Sequence, residues 1–250
     1  MKKLTLGVLG VWICLANFVV SAHAVDNSQR WYVHRVEGKL NTDGFPGKSD
    51  WSRAGVIPKF WRTDKPDVPA TTQTKVYLLY DNQYLYIKAN MEDQDIIGYV
   101  KKQNGPVFDD DVFEVFLRPS LKSLHYFEID INPLGTVYAG FYPRYGYWRN
   151  STFDAHVKVK IKINGTLNNW HDVDKGWTLE EAIPFSSLSM KMKGITIPPQ
   201  KWDIWYGAFC RYDYSYYLEN GVELSSSAHL RRFARFGFHS LDDYNPLIFD

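Results

Sequence analysis

Residues Gly105 to Pro119 read GPVFDDDVFEVFLRP. Gly105-Pro106 breaks the preceding segment. Asp109, Asp110 and Asp111 form a short acidic entry. Val112 to Leu117 is a run of β-branched and aromatic residues in which Glu114 is the only charge. Pro119 ends the run. In a strand, residues two apart share a face. Val112, Glu114 and Phe116 therefore point one way, and Phe113, Val115 and Leu117 the other. Two apolar faces predict a central strand covered on both sides. A carboxylate placed there needs a partner or a ligand, because an isolated buried charge is very costly. Two readings follow: Glu114 faces a binding cleft, or it pairs with an Arg or Lys on the next strand.

The start of the chain predicts an exported protein. Met1-Lys2-Lys3 is basic, Leu6 to Ala16 carries no charge, and Ala22-His23-Ala24 is a small-x-small cleavage site. That pattern marks residues 1–24 as a secretory signal peptide, too short and interrupted for a membrane anchor. The expected location is periplasmic or extracellular, with no membrane insertion. Of 29 basic and 28 acidic residues, the leader takes two lysines and no acid. The remaining chain is close to neutral, which argues against nucleic acid as a partner. Cys14 leaves with the leader, so Cys210 stands alone and no internal disulfide is expected. The fold must then rest on its own core. Nine Trp and 17 Tyr exceed what a core needs, and these residues are common where apolar faces meet polar ligands.

Residues 25–250 read as one domain. Trp31-Tyr32-Val33 suggests a first edge strand. Thr74 to Tyr80 and Tyr84 to Asn90, joined by Asp81-Asn82-Gln83, predict a hairpin. Tyr126 to Asn132 alternates Phe127, Ile129 and Ile131 with Tyr126, Glu128, Asp130 and Asn132, so one face is wet. Pro133 to Gly135 is a turn. Tyr142 to Phe153 is an aromatic loop containing Trp148. His156 to Ile163 alternates apolar and basic residues, as a lysine-guarded edge strand does. Trp177 to Phe185 and Lys201 to Tyr212 are further strands. Asn220 to Leu230 reads as a polar loop, and Arg232 to Phe238 as a last core strand. Trp51, Trp61, Trp177 and Trp205 are assigned to the core. Many short strands, few short helices and no repeat predict an all-β antiparallel β-sandwich, jelly-roll or immunoglobulin-like.

The strand set resembles a family 9 carbohydrate-binding module, within the wider DOMON-like β-sandwiches of the stand-alone secreted type. The matching pieces run in order. They are Gly38-Lys39-Leu40 with Trp51-Ser52-Arg53-Ala54, and Tyr80-Asp81-Asn82-Gln83-Tyr84-Leu85-Tyr86. Asp110 to Leu117 follows, then Trp177 to Phe185. Trp205 to Arg211, with Phe238-His239 and Phe249, completes the set. The resemblance implies a sugar held between two aromatic side chains, with charged and amide groups reading its hydroxyls. It places Glu114 as a sugar ligand and Phe108 as one clamp ring, where relatives carry Trp. It places Glu128, Asp130 and Asn132 among the polar contacts. Tyr212, Tyr214, Tyr216 and Tyr217 compete for the second clamp. Ala208 stands where relatives often carry Asn.

Few polar groups in an aromatic cleft is the general pattern of a small-ligand site. Phe108, Glu114 and Glu128, surrounded by Asp130, Trp148, Arg211 and Tyr214, fit it. The expected partner is an oligo- or polysaccharide, with other carbohydrate-active proteins as associates. Arg211 has a second reading as the cation that neutralises Glu114. Asp109 and Asp111 offer the hard oxygens that a structural calcium ion takes, although a solvated acidic turn explains them as well. No cofactor is required. Glycoside hydrolysis is an alternative, since Glu114 with Glu128 or Asp130 supplies two carboxylates on adjacent strands. Non-covalent haem binding, through Met91 or His239 with another His, is a second. Serine, cysteine and zinc chemistry find no motif.

Overall fold

The computed structural model describes residues 29–146, 153–189 and 195–250. The expected signal peptide and Trp148 lie outside the described residues. The strands in chain order are β1 (Trp31–Arg35), β2 (Gly55–Ile57), β3 (Trp61–Arg62), β4 (Thr74–Tyr80), β5 (Tyr84–Met91), β6 (Val112–Arg118) and β7 (Tyr126–Ile131). They continue with β8 (Val137–Tyr142), β9 (Lys158–Asn164), β10 (Gly176–Pro184), β11 (Ile204–Tyr214), β12 (Val222–Ser226) and β13 (Asn245–Phe249). Among the described residues the α-helices are single turns: α1 (Lys48–Trp51), α2 (Phe185–Ser189) and α3 (Phe233–Phe236).

Hydrogen bonding joins the strands in the order β8-β7-β6-β11-β13-β1-β4-β5-β10-β9, with β2, β3 and β12 as side branches. Neighbours are antiparallel except at β1, which runs parallel to both β13 and β4. The sheet is therefore mixed, a correction to the all-antiparallel expectation. It also corrects the placing of Trp31-Tyr32-Val33 at an edge. Those residues face Leu247, Ile248 and Phe249 in the middle of the path. An apolar strand buried between two others reads the same whichever way its partners run, so nothing local announces the direction.

The two halves of the path curl to enclose one apolar core. Leu78, Ile87 and Leu179 come to it from one half, and Val115, Phe127 and Ile129 from the other. Trp51, Trp177 and Trp205 are buried as expected. Trp61 is only half-buried, and its ring lies against His229.

Local chemistry explains the connections. At the β4–β5 hairpin, Asp81 Oδ1 accepts from the backbone N–H of Gln83 at 2.6 Å and of Tyr84 at 2.8 Å, an Asx turn. After β7, Asn132 Oδ1 accepts from the N–H of Leu134 and Thr136, while Gly135 supplies the positive φ of +76°. Strand β9 ends the path as an edge strand, with Lys158, Lys160 and Lys162 exposed.

Candidate functional site

Strand β6 is buried along its whole length, between β7 and β11. Its Phe113, Val115 and Leu117 enter the main core. The opposite face carries Glu114 and Phe116. In register, Glu114 lies between Asp130 of β7 and Cys210 of β11, and Phe116 between Glu128 and Ala208. Alternation adds Tyr126 from β7, Tyr138 and Tyr142 from β8, and Tyr212 and Tyr214 from β11. One end of this face is covered. Ala228, Leu230, Phe238 and Tyr244 pack there on Phe116, Tyr126, Ala208 and Cys210. Tyr138, Tyr142, Tyr212 and Tyr214 remain half-buried.

Glu114 is 3 % exposed, and its Oε2 has no hydrogen-bond partner among the described residues. Burial pushes its carboxyl well above the usual range, and Glu128 nearby raises it further. Among the described residues no guanidinium forms an ion pair with it. Arg211 pairs with Phe113 in register and shares its face, the core side of the sheet. There its Nη2 lies 3.0 Å from Asp93 and 3.3 Å from Asp213, fully buried. The alternative reading, an ion pair between Arg211 and Glu114, does not form.

The predicted site residues divide into three groups. Glu114, Glu128 and Asp130 share one face. Phe108 and Tyr214 meet at its open end. The Phe108 ring is exposed, and its carbonyl accepts from the Tyr214 hydroxyl at 2.9 Å. Tyr214 stacks on Tyr212 with centroids 6.3 Å apart, and burial raises its pKa, with Asp109, Asp111 and Glu114 adding to the shift. Asn132 and Arg211 are committed elsewhere. The Asn132 amide donates to the Val100 carbonyl and to Asp110 Oδ2 at 2.7 Å, so the side chain holds the turn.

Sequence reasoning missed the β8 pair, and it named His239 without placing it on this face. The Tyr138 and Tyr142 hydroxyls lie 3.0 Å apart, and strict alternation along β8 would have found both. His239 packs among Phe116, Tyr126 and Tyr142, with its Nδ1 2.9 Å from the Tyr126 hydroxyl. Burial lowers its pKa to about 4, so the ring is neutral. Nothing in the sequence links position 239 to β7. Met91, the other haem-ligand candidate, belongs to the main core on the other side of this sheet.

Two of the three acidic-entry residues hold backbone groups. Asp110 accepts from the N–H of Tyr99 and Val100, and Asp111 from those of Ile97 and Tyr214. Asp109 is exposed and does not join Asp111. The carboxylates that do converge are Asp93, Asp111 and Asp213, each offering an oxygen within 4.8 Å of the others. Burial raises Asp93 to about 6 and Asp111 well above its usual value, while Arg211 opposes both shifts. Two hollows, of about 390 and 580 Å³, lie away from the Glu114 face: one beside Thr74 and Trp177, the other beside Arg35 and Arg53.

Three solved structures share the fold. A candidate carbohydrate-binding protein from Bacteroides uniformis is 18 % identical, with TM-score 0.67 over 89 % of this chain and 99 % of its own. A family 9 carbohydrate-binding module from Caldicellulosiruptor kristjanssonii, bound to cellotriose, is 14 % identical, with TM-score 0.57 over 89 % and 94 %. A module of the same family and organism, bound to glucose, is 13 % identical, with TM-score 0.55 over 89 % and 96 %. No curated protein matches. The family described as carbohydrate family 9 binding domain-like matches residues 43–198, well over half of the chain, and the chain belongs to that family.

Proposed function

We propose that the Glu114 face binds carbohydrate without turning it over. The observation that carries this reading is Glu114 itself, a buried carboxyl with an oxygen left over on a face lined by tyrosines. A buried polar atom without a partner is costly, and a ligand hydroxyl would satisfy it. Phe108 and Tyr214 stand at the open end as rings for the C–H face of a sugar, and Glu128 and Asp130 flank the floor. The C. kristjanssonii relatives hold cellotriose and glucose, which makes β-glucans the first saccharides to try.

The reading needs no cofactor. Asp93, Asp111 and Asp213 are the oxygens that a structural calcium would use, and Arg211 already opposes their charge. Residues 1–24 serve as the export leader in this reading, so the protein would meet its glycan in the periplasm or outside the cell, beside other carbohydrate-active proteins.

Isothermal titration with cellotriose and glucose tests the proposal. The wild type should bind. Glu114→Gln should weaken binding by at least tenfold, about 1.4 kcal/mol, with an unchanged melting profile. Unaltered binding in that variant would move the site elsewhere. Release of reducing ends from cellotriose would replace the binding reading with hydrolysis.

A further inference from the structure

Two loops beyond the open end of the Glu114 face present a pair of rings to solvent. Trp170 is 52 % exposed and Tyr216 75 % exposed, yet their centroids lie only 5.4 Å apart. They come from connections 46 positions apart in sequence, after β9 and after β11. Large rings left in water while touching each other mark an interaction surface more often than leftover core.

The frame beneath them is cross-linked by hydrogen bonds. Both loops are tied to the segment after β5. Asp95 accepts from the N–H of Tyr216 at 3.2 Å. The Asn168 amide exchanges two 2.8 Å bonds with the backbone of Gly98. Asp174 accepts from the N–H of Ile96 and of Thr166. The Tyr217 hydroxyl donates to the Asp172 carbonyl at 3.1 Å, which joins one loop directly to the other. The polar groups of these loops are thus spent on holding the rings outward. Preorganisation of this kind lowers the entropy that a ligand must overcome.

The pair continues the proposed site. Tyr214, at the open end beside Phe108, lies two residues before Tyr216. Glu114 is opposite Cys210, six residues before Tyr216, and at about 3.3 Å per residue Cys210 and Tyr216 are at most about 20 Å apart, with Glu114 about 5 Å across on the next strand. A single sugar cannot reach both places, but an extended chain of several units can.

We infer that Trp170 and Tyr216 form a second stacking platform for a glycan chain that also occupies the Glu114 face. The inference rests on the binding reading above and deepens it, because it assigns a preference for longer oligosaccharides. Titration of the full chain with cellobiose and cellohexaose tests it. The wild type should bind cellohexaose more tightly than cellobiose. Trp170→Ala and Tyr216→Ala should each weaken cellohexaose about tenfold and leave cellobiose and the melting temperature unchanged. If the wild type binds both sugars and the variants leave their affinity ratio unchanged, the platform falls and the Glu114 reading stands. If the wild type binds neither, both fall. A concentration-dependent dimer that Trp170→Ala abolishes would give the surface to a second copy and overturn the inference.

Discussion

Glu114 and Glu181 are two carboxyls that the fold removes from water, and their surroundings set different consequences. Glu181 points to the main core from β10, between Ile87 and Val159, fully buried and with neither oxygen bonded among the described residues. Burial raises its pKa from 4.5 to about 8. Between those values the folded chain keeps a proton that the unfolded chain releases. Stability is therefore fully present below about pH 4.5 and lost as pH rises through about 8, by on the order of 4 kcal/mol. Asp93, Asp111 and Glu114 slope the same way. Glu181→Leu should reduce the difference between urea midpoints at pH 5 and pH 8 and raise the midpoint at pH 8. An unchanged difference would show that Glu181 finds a partner in solution. Glu114 was legible in the sequence because it is the only charge in an apolar strand. The partner proposed for it was not legible. Whether Arg211 shares its face depends on how β11 registers against β6, and that register pairs Arg211 with Phe113.

Elements with a local cause were read correctly. The β4–β5 hairpin follows from Asp81, which closes the turn with one oxygen and accepts from the Tyr86 hydroxyl with the other at 2.8 Å. Asp81→Ala should destabilise the chain by about 1–2 kcal/mol, seen as a lower denaturant midpoint with an unchanged slope. Elements with a tertiary cause were misread. Residues 220–230 contain β12, which pairs with β11 and β3. Its serines look like loop residues, yet Ser225 and Ser226 are buried, and the adjoining Ser227 donor and acceptor groups bond to Phe209. Satisfied hydroxyls let a polar sequence lie inside. Residues 232–238 looked like a core strand but form α3 and a 3-10 turn, with Phe238 closing over Phe116. An aromatic-rich stretch will cover a sheet as readily as join one.

At the scale of the molecule, β1 holds the two halves of the sheet together through parallel bonding on both sides. Deletion of residues 1–36 should therefore remove cooperative unfolding, although it leaves the family-matching stretch 43–198 intact. A sharp calorimetric transition in the truncated chain would show that the halves close without that strand. The sequence by itself determined the all-β class, most strand positions, the lysine-guarded edge, and Glu114 as an acid in an interior strand. These follow from alternation, turn chemistry and the cost of burying charge, which act over a few neighbouring residues. Only the tertiary structure decided that β1 is central and parallel, that Arg211 and Asn132 are spent on the scaffold, and that Tyr138, Tyr142 and His239 join Glu114. It alone set Trp170 beside Tyr216. Those outcomes depend on register and on loops meeting across long stretches of chain, and such contacts leave no periodic trace in the residues that make them.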